Sequence, residues 1–331
     1  MSAHFHSYLC GRKAAEWLID MTHEIKQIAV AGAGVMGTAI AQYFAQQGLD
    51  VLVYDVIPAS LERIDTAVAE SQQLLIRRGV LTQEQAEAAR GRIRTSSDMN
   101  DFSRADLVIE AIIENMAIKQ DFFRQLETIC RPDTIFATNT SSLSVNEICR
   151  KMTTKARFIG ANWWTPAHII PLIEMVRADE TSDETARRLY DFFESVGKKP
   201  IVINREVKGF VGNRIQFAVM REAMDIVENG YASMKDVDRV LHYGLGLRYA
   251  VLGPFRTADF GGVDTFCHIC ETLFPDLSNR EVANDLIRRL YDEGKYGIKT
   301  GEGFYAYTPE EIRTGLQERD EQLLDILKIT T

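Results

Sequence analysis

The sequence predicts a doubly wound, mainly parallel α/β sheet followed by an all-helical region. Three observations carry that prediction. Apolar runs that read as strands alternate with amphipathic helical stretches from residue 27 to residue 203, the pattern of a parallel sheet covered on both faces. A glycine turn, Gly32-Ala-Gly-Val-Met-Gly37, joins the first strand to the first helix. After Gly209 the strand-like runs stop and helical patterning continues alone. The expected division is an N-terminal extension at 1–20, an α/β domain at 21–207 and a helical domain at 208–331.

The first unit is the most specific. A strand (Gln27 to Ala31), a helix (Val35 to Gln47) and a second strand (Val51 to Tyr54) form one βαβ unit closed by Asp55. Gly32 permits the tight turn, Gly34 lets a pyrophosphate approach the backbone, and Gly37 lets helix and strand pack closely. The helix start at Val35 and Met36 offers free N–H groups and a partial positive charge to a diphosphate. Asp55 can accept from both ribose hydroxyls and would repel a 2′-phosphate. Val56, Ile57 and Pro58 follow it, with no arginine. The unit therefore predicts a Rossmann-type domain that binds NAD rather than NADP.

The remaining elements follow in order. Helical spacing runs from Ala59 to Arg78, and Thr82 is placed as N-cap before Gln83 to Arg90. Ile93 to Thr95, Asp106 to Ala111 and Thr134 to Thr138 read as strands, with Ala117 to Cys130 an amphipathic helix between the last two. Phe158 to Trp164 and Leu172 to Val176 are strands. Asp183 to Val196 is helix, and Pro200 to Ile203 is the last strand. Beyond Gly209, helices are expected at 210–228, 233–242, 264–273, 280–292 and 310–327, the last entered through Thr308-Pro309. Open sheets of this kind bind ligands beyond the carboxyl ends of their strands. That places Glu110, Asn139 to Ser142, Asn162 to Pro166 and the Glu174 region as candidate site segments.

Composition narrows the function classes. The 331 residues suffice for two sizeable cores, and 46% hydrophobic with 26% charged residues are globular values. A net charge of -9 and a pI near 5.3 argue against nucleic acid or an anionic membrane as the main partner. No stretch approaches the length of a transmembrane helix. Five scattered cysteines form no disulfide framework, so a cytoplasmic setting is expected. Cys267-His-Ile-Cys270 has the spacing of a metal hook, but it lies in a helical run with no second pair, and no metal is expected. Ala14 to Ile19 could form a short helix, and the start lacks the features of a secretory signal.

Seven ordered motifs make the chain resemble the 3-hydroxyacyl-CoA dehydrogenase family over about residues 25–308. They are V-A-G-A-G-V-M-G with Asp55; D-L-V-I-E-A-I-I-E-N with Lys119; A-T-N-T-S-S-L-S; P-x-x-I-I-P-L-I-E ending in Glu174; K-G-F-V-G-N-R ending at Arg214; G-P-F-R-T-A-D-F-G-G-V-D; and K-T-G-E-G-F-Y at 299–305. The resemblance implies a homodimer joined through the helical domain, with hydride transfer between NAD and the 3-hydroxyl carbon of a small-molecule substrate. It implies that Glu110, Lys119, Asn139, Ser141 and Lys299 lie near cofactor or active site. It implies an active-site role for Asn213, and for Glu174 the role of orienting a catalytic histidine.

That histidine is replaced. Where the family reads His-Phe-Phe-Asn-Pro, this chain reads Asn162-Trp-Trp-Thr-Pro166. A carboxamide does not titrate near neutral pH and cannot serve as the same base. His168, Glu174 with a pKa raised by burial, or a water relay remain open as proton acceptors. A second departure is the longer segment Gly244 to Pro254, which is similar to the branch containing lambda-crystallin and L-gulonate 3-dehydrogenase. Arg248 within it would suit a substrate carboxylate, or form an ordinary interface ion pair. Where CoA-binding members carry a lysine on the helix that grips CoA, this chain offers Leu75. Arg77 and Arg78 could meet a phosphate or end the helix in solvent. The expected activity is a dehydrogenase of a 3-hydroxyacyl-CoA or a related 3-hydroxy acid; the alternatives are a dehydrogenase of a small free carboxylate and an NAD-binding scaffold or sensor.

Overall fold

A computed structural model describes residues 25–330. The short helix expected at 14–19 lies outside them. Eight strands form one sheet: β1 (Gln27–Ala31), β2 (Asp50–Tyr54), β3 (Ile93–Ser96), β4 (Leu107–Glu110), β5 (Ile135–Thr138), β6 (Phe158–Trp163), β7 (Leu172–Arg177) and β8 (Lys199–Ile203). Their order is β3-β2-β1-β4-β5-β6-β7-β8. The sheet is parallel through β6; β7 then runs antiparallel to β6, and β8 runs parallel to β7. The turnover at β6–β7 sets Asn162 directly opposite Glu174. Periodicity marks both strands but contains nothing about their relative direction.

Alternation along the strands builds a core on each face. Ile28, Val30, Val51, Val53, Leu107 and Ile109 point to one side, with Ile40 and Phe44 of helix α1 (Val35–Gln46) and Val68 of α2 (Ile64–Arg77). Ala29, Ala31, Leu52, Val108 and Phe136 point to the other, with Phe122, Phe123 and Leu126 of α4 (Met116–Ile129). Between them in sequence, α3 (Gln83–Gly91) starts at a capping box in which Thr82 and Gln85 satisfy each other's backbone N–H. α5 (Asp183–Ser195) is capped by Ser182 and adds Leu189 and Phe193 to the first core. The helix expected over 59–78 is broken in two: a short turn at Pro58–Leu61 precedes α2.

The helical domain comprises α6 (Gly212–Glu228), α7 (Met234–Val240), α8 (Gly246–Val251), α9 (Gly253–Gly261), α10 (Val263–Leu273), α11 (Asp285–Asp292) and α12 (Pro309–Thr330). α7 passes through a π-helical turn at Leu241–Leu245 into α8. The expected helix at 280–292 starts late, because residues up to Asn284 are held in irregular backbone, with Ser278 N and Leu286 N donating to Glu222 and Glu228. This domain buries few of its own apolar side chains. Phe217, Phe255, Phe260 and Phe274 are all more than half exposed. α12 leaves the domain and packs on the α/β domain: Leu323, Leu324 and Leu327 meet Leu74 and Leu75 of α2 and Ile169 of the β6–β7 loop.

Candidate functional site

The carboxyl end of β1 is shaped by close backbone approach. Gly32 has φ 105°, and a Cβ there would lie 2.4 Å from the Ala111 carbonyl oxygen beyond β4. A Cβ on Gly37 would lie 1.8 Å from the Gly32 oxygen. Gly34 is different: a Cβ there would meet nothing within 4 Å, which leaves the approach a phosphate needs. Asp55 is fixed by two backbone donors, Ala33 N at 2.7 Å and Ile57 N at 2.9 Å. A carboxylate has about four lone-pair sites, so capacity remains for ribose hydroxyls. Val35, Val56, Ile57 and Ile113 stand exposed around the turn, an apolar surround suited to a heterocycle. These residues fit a bound dinucleotide.

Glu110 and Lys119 are paired with each other. Both are buried, and their ion pair is 2.5 Å long. Glu110 also accepts from Ile112 N and the Thr138 hydroxyl. Burial pushes the Glu110 carboxyl up, while Lys119, Thr138 and Ile112 N draw it back. Lys119 also pairs with Glu114 at 3.1 Å, and Glu114 accepts from Thr140 and Ser142. This network braces the loops after β4 and β5 against each other. Glu114 is a residue the sequence reading did not single out, although it stands in the same motif as Glu110.

The second cluster forms where β6 and β7 meet. Glu174 is fully buried and takes four donors: Asn162 Nδ2 at 2.9 Å, Trp164 Nε1 at 3.2 Å, Val211 N at 3.0 Å and Gly212 N at 2.8 Å. Those four donors match the lone-pair sites of a carboxylate. Glu174 is thereby occupied as an acceptor, and the geometry does not bring it forward as a free proton acceptor. Because Glu174 can only accept, the Asn162 amide must turn its nitrogen inward, which directs Oδ1 away from it. Asn139 Oδ1 holds Trp163 N at 2.8 Å and so ties the loop after β5 to the same place. Ser141 is exposed two residues on, and Asn213 is half-buried next to Gly212. Thr165 donates to Met36 Sδ at 3.1 Å, which joins the cluster to the cofactor turn. Trp164 lies within the expected Asn162–Pro166 segment, where no role was assigned to it; its indole fits only because position 212 is glycine, where a Cβ would lie 2.2 Å from the ring.

Three expected residues lie apart. His168 turns to Ser71 of α2, with Nε2 3.3 Å from the hydroxyl, and burial pushes its imidazole down against the opposing pull of Asp320. That is a packing position behind the loop, and the structure does not bring His168 to the Asn162–Glu174 cluster. Arg248 is exposed on α8. Lys299 is exposed in the Gly297–Gly303 turn, beside a helical-domain cavity of about 510 Å³ lined by Met220, Leu290 and Phe304. Arg77 and Arg78 are ion-paired with Glu321 and Asp325 of α12, and Leu75 is buried beneath it. Cys267 is exposed, and among the described residues no group of three or more His, Cys, Asp or Glu is placed to hold a metal. One buried cation had no sequence signal. Lys198 Nζ donates to the Ala167 and Ile170 carbonyls at 2.7 and 2.8 Å and lies over the Tyr43 and Trp163 rings.

The fold and these two clusters define an NAD-dependent dehydrogenase. The model of the 3-hydroxyacyl-CoA dehydrogenase NAD-binding domain matches residues 27–207, and that of the 3-hydroxyacyl-CoA dehydrogenase C-terminal domain matches residues 209–307. The chain belongs to the 3-hydroxyacyl-CoA dehydrogenase family. It is similar to a 5-formyl-3-hydroxy-2-methylpyridine 4-carboxylate 5-dehydrogenase of Mesorhizobium japonicum, 35% identical over 306 residues, covering 92% of this chain and 98% of the relative. A probable 3-hydroxybutyryl-CoA dehydrogenase of Deinococcus radiodurans is 38% identical over 282 residues, covering 85% of this chain and 100% of the relative. A crystal structure of a pyridine-carboxylate dehydrogenase of the first kind, described as an NAD+ dependent dismutase, superposes with a TM-score of 0.86 at 35% identity over 93% of this chain and 99% of its own. The (S)-3-hydroxybutyryl-CoA dehydrogenase of Ralstonia eutropha gives 0.72 at 32% identity over 86% and 100%.

Proposed function

We propose that this dehydrogenase acts on the 3-hydroxyl carbon of a 3-hydroxyacyl-CoA or a related free 3-hydroxy acid, with Ser141, Asn162 and Asn213 around the reacting oxygen. The observation that carries the reading is the four-donor Glu174, which fixes Asn162 and the α6 start beside the cofactor turn. NAD, when bound, supplies the acceptor for the hydride. Asn162 Oδ1 accepts a hydrogen bond from the substrate hydroxyl and holds its oxygen in line. The amide takes no proton, so the proton leaves to solvent. Rates are then expected to rise with pH as hydroxide becomes the acceptor, without the inflection a histidine base gives near pH 6.5.

Within that class the free acid is favoured over the thioester. The relative named for a pyridine carboxylate is matched over more of this chain than the relatives named for hydroxybutyryl-CoA. The exposed phenylalanines of the helical domain support a homodimer through that domain. Among the described residues no helix is long and apolar enough to cross a membrane, and we infer a cytoplasmic enzyme; a place in fatty acid metabolism goes with the thioester reading alone.

The test is NADH formation at 340 nm with a panel of free 3-hydroxy acids, aromatic hydroxy acids and 3-hydroxyacyl-CoA esters, run from about pH 6 to 10. Turnover of any panel member supports the dehydrogenase. Tight NADH binding with no turnover anywhere in the panel leaves the scaffold reading, which Asn162 would allow. Asn162→His should add an inflection near pH 6.5 to the rate profile, because Glu174 stands where it can orient the new ring.

A further inference from the structure

α12 lies wholly beyond the matched family region, which ends at residue 307. It is nevertheless a built element. Thr308 and Glu311 cap its start reciprocally, Thr308 N on Glu311 Oε2 at 2.7 Å and Glu311 N on Thr308 Oγ1 at 3.2 Å. Its far half returns to the α/β domain and is fastened there in two ways. Leu323, Leu324 and Leu327 pack with Leu74, Leu75 and Ile169, and Asp325 and Glu321 pair with Arg78 and Arg77.

The landing place matters because of Ile169. The loop that carries it begins at Trp164, whose indole is on Glu174, and at Thr165, whose hydroxyl is on Met36 of the cofactor turn. One end of this loop therefore frames the reacting centre, and the other end is under α12. His168 sits between, against Ser71 of α2, with Asp320 and Arg319 of α12 and Lys198 as its charged neighbours. α12 thus spans from the helical domain to α2 and the loop, and its acids pair with the arginines that a phosphate-bearing substrate arm passing along α2 would meet.

We propose that α12 is a clasp that sets substrate size: it closes the α2 side of the interdomain cleft, admits a compact free acid and excludes a nucleotide-linked thioester arm. This rests on the dehydrogenase reading above. A substrate whose far end leaves the cleft beside His168 and Ile169 must displace Leu324 and the Arg78–Asp325 pair. A substrate that ends in its own carboxylate needs no such exit.

The experiment compares the full chain with Leu324→Asp, which puts a charge into the Leu74–Leu75–Ile169 contact, and with the milder Leu324→Ala. NADH titration reports whether each variant is folded. Two quantities are read: the ratio of kcat/KM for a free 3-hydroxy acid over its CoA thioester, and binding of coenzyme A itself by calorimetry. The expected result is a ratio of at least about 100 in the full chain, falling tenfold or more on releasing α12, with coenzyme A binding only the released form. A full chain that prefers the thioester, or a ratio and coenzyme A affinity unchanged in a variant that still binds NADH, overturns the clasp. If no acid or thioester is turned over, the dehydrogenase reading has failed, and coenzyme A binding still decides: gained on release it supports the clasp, unchanged it overturns it. If Leu324→Asp loses NADH binding, Leu324→Ala supplies the same readings.

Discussion

The two ends of the site are built on opposite principles. At the Gly32–Gly37 turn, hydrogen-bonding capacity is left over: Asp55 uses two backbone donors and keeps room for more, and Gly34 opens onto free space. At the Asn162–Glu174 cluster, capacity is used up internally, with four donors on one buried carboxylate. A binding end must present unfilled donors and acceptors to its ligand, because the ligand gives up its hydration to enter. A reacting end must hold its groups still, which satisfied internal hydrogen bonds do. The difference explains how this chain tolerates Asn162. Glu174 fixes an amide as it would fix a ring, so the geometry survives although the titrating group is gone.

The largest expected effect is at the binding end. Gly32→Val forces a side chain onto a backbone with φ 105° and into the Ala111 carbonyl. NADH affinity should fall by at least about 100-fold, equivalent to about 2.8 kcal/mol; an affinity within threefold of the parent would break the contrast at its first term. The next effect is at the reacting end. In Glu174→Gln the new amide nitrogen must oppose one pair of the four donors, at a cost of about 2 to 3 kcal/mol of stability. Turnover should drop by about 100-fold at every pH, with NADH binding retained, because a positioning group has been lost. A loss confined to one limb of the pH profile would instead mark Glu174 as the proton acceptor.

The smallest effect tests what braces the reacting end from behind. Burial pushes Lys198 down to about 7, so between that pH and the ordinary lysine value near 10.4 the unfolded chain holds more of this proton than the folded one. Stability from this group therefore grows as pH rises through that window. Lys198→Met should abolish the rise, a difference of about 1 to 2 kcal/mol once the Tyr43 and Trp163 faces, which favour the ammonium, are counted. Denaturant unfolding at pH 7 and pH 9.5 measures it, and parallel pH dependences in the two proteins would show that Lys198 is not the group responsible. Its hold on the Ala167 and Ile170 carbonyls predicts a rise in KM as well, since the site loop loses its anchor.

Much of this was legible in the residues. The βαβ unit, Asp55 and the alternation of strands and helices follow from local rules that a linear pattern can express. Asn162 and Glu174 were legible as a pair through the family resemblance. Other features had no linear signal. The burial of Lys119 between Glu110 and Glu114 had no linear signal, because burial of a charge is decided by what packs over it. His168 read as a candidate base, yet the loop turns it to Ser71. Lys198 reads as an ordinary charged residue before a strand and proves to be fully buried.

What the sequence determined alone is the set of parts: strands and helices by period, a dinucleotide turn by its glycines, and a carboxamide in place of a titrating base. Each depends on a residue's chemistry and its near neighbours in the chain. The tertiary structure decided which parts meet. The antiparallel turn of β7 puts Glu174 opposite Asn162, the α6 start brings two amides to the same carboxylate, and α12 lands on Leu75 and Ile169. Those contacts join residues far apart in sequence. They form because buried acceptors must find donors and apolar faces must find cover, demands that name no partner until the chain is folded.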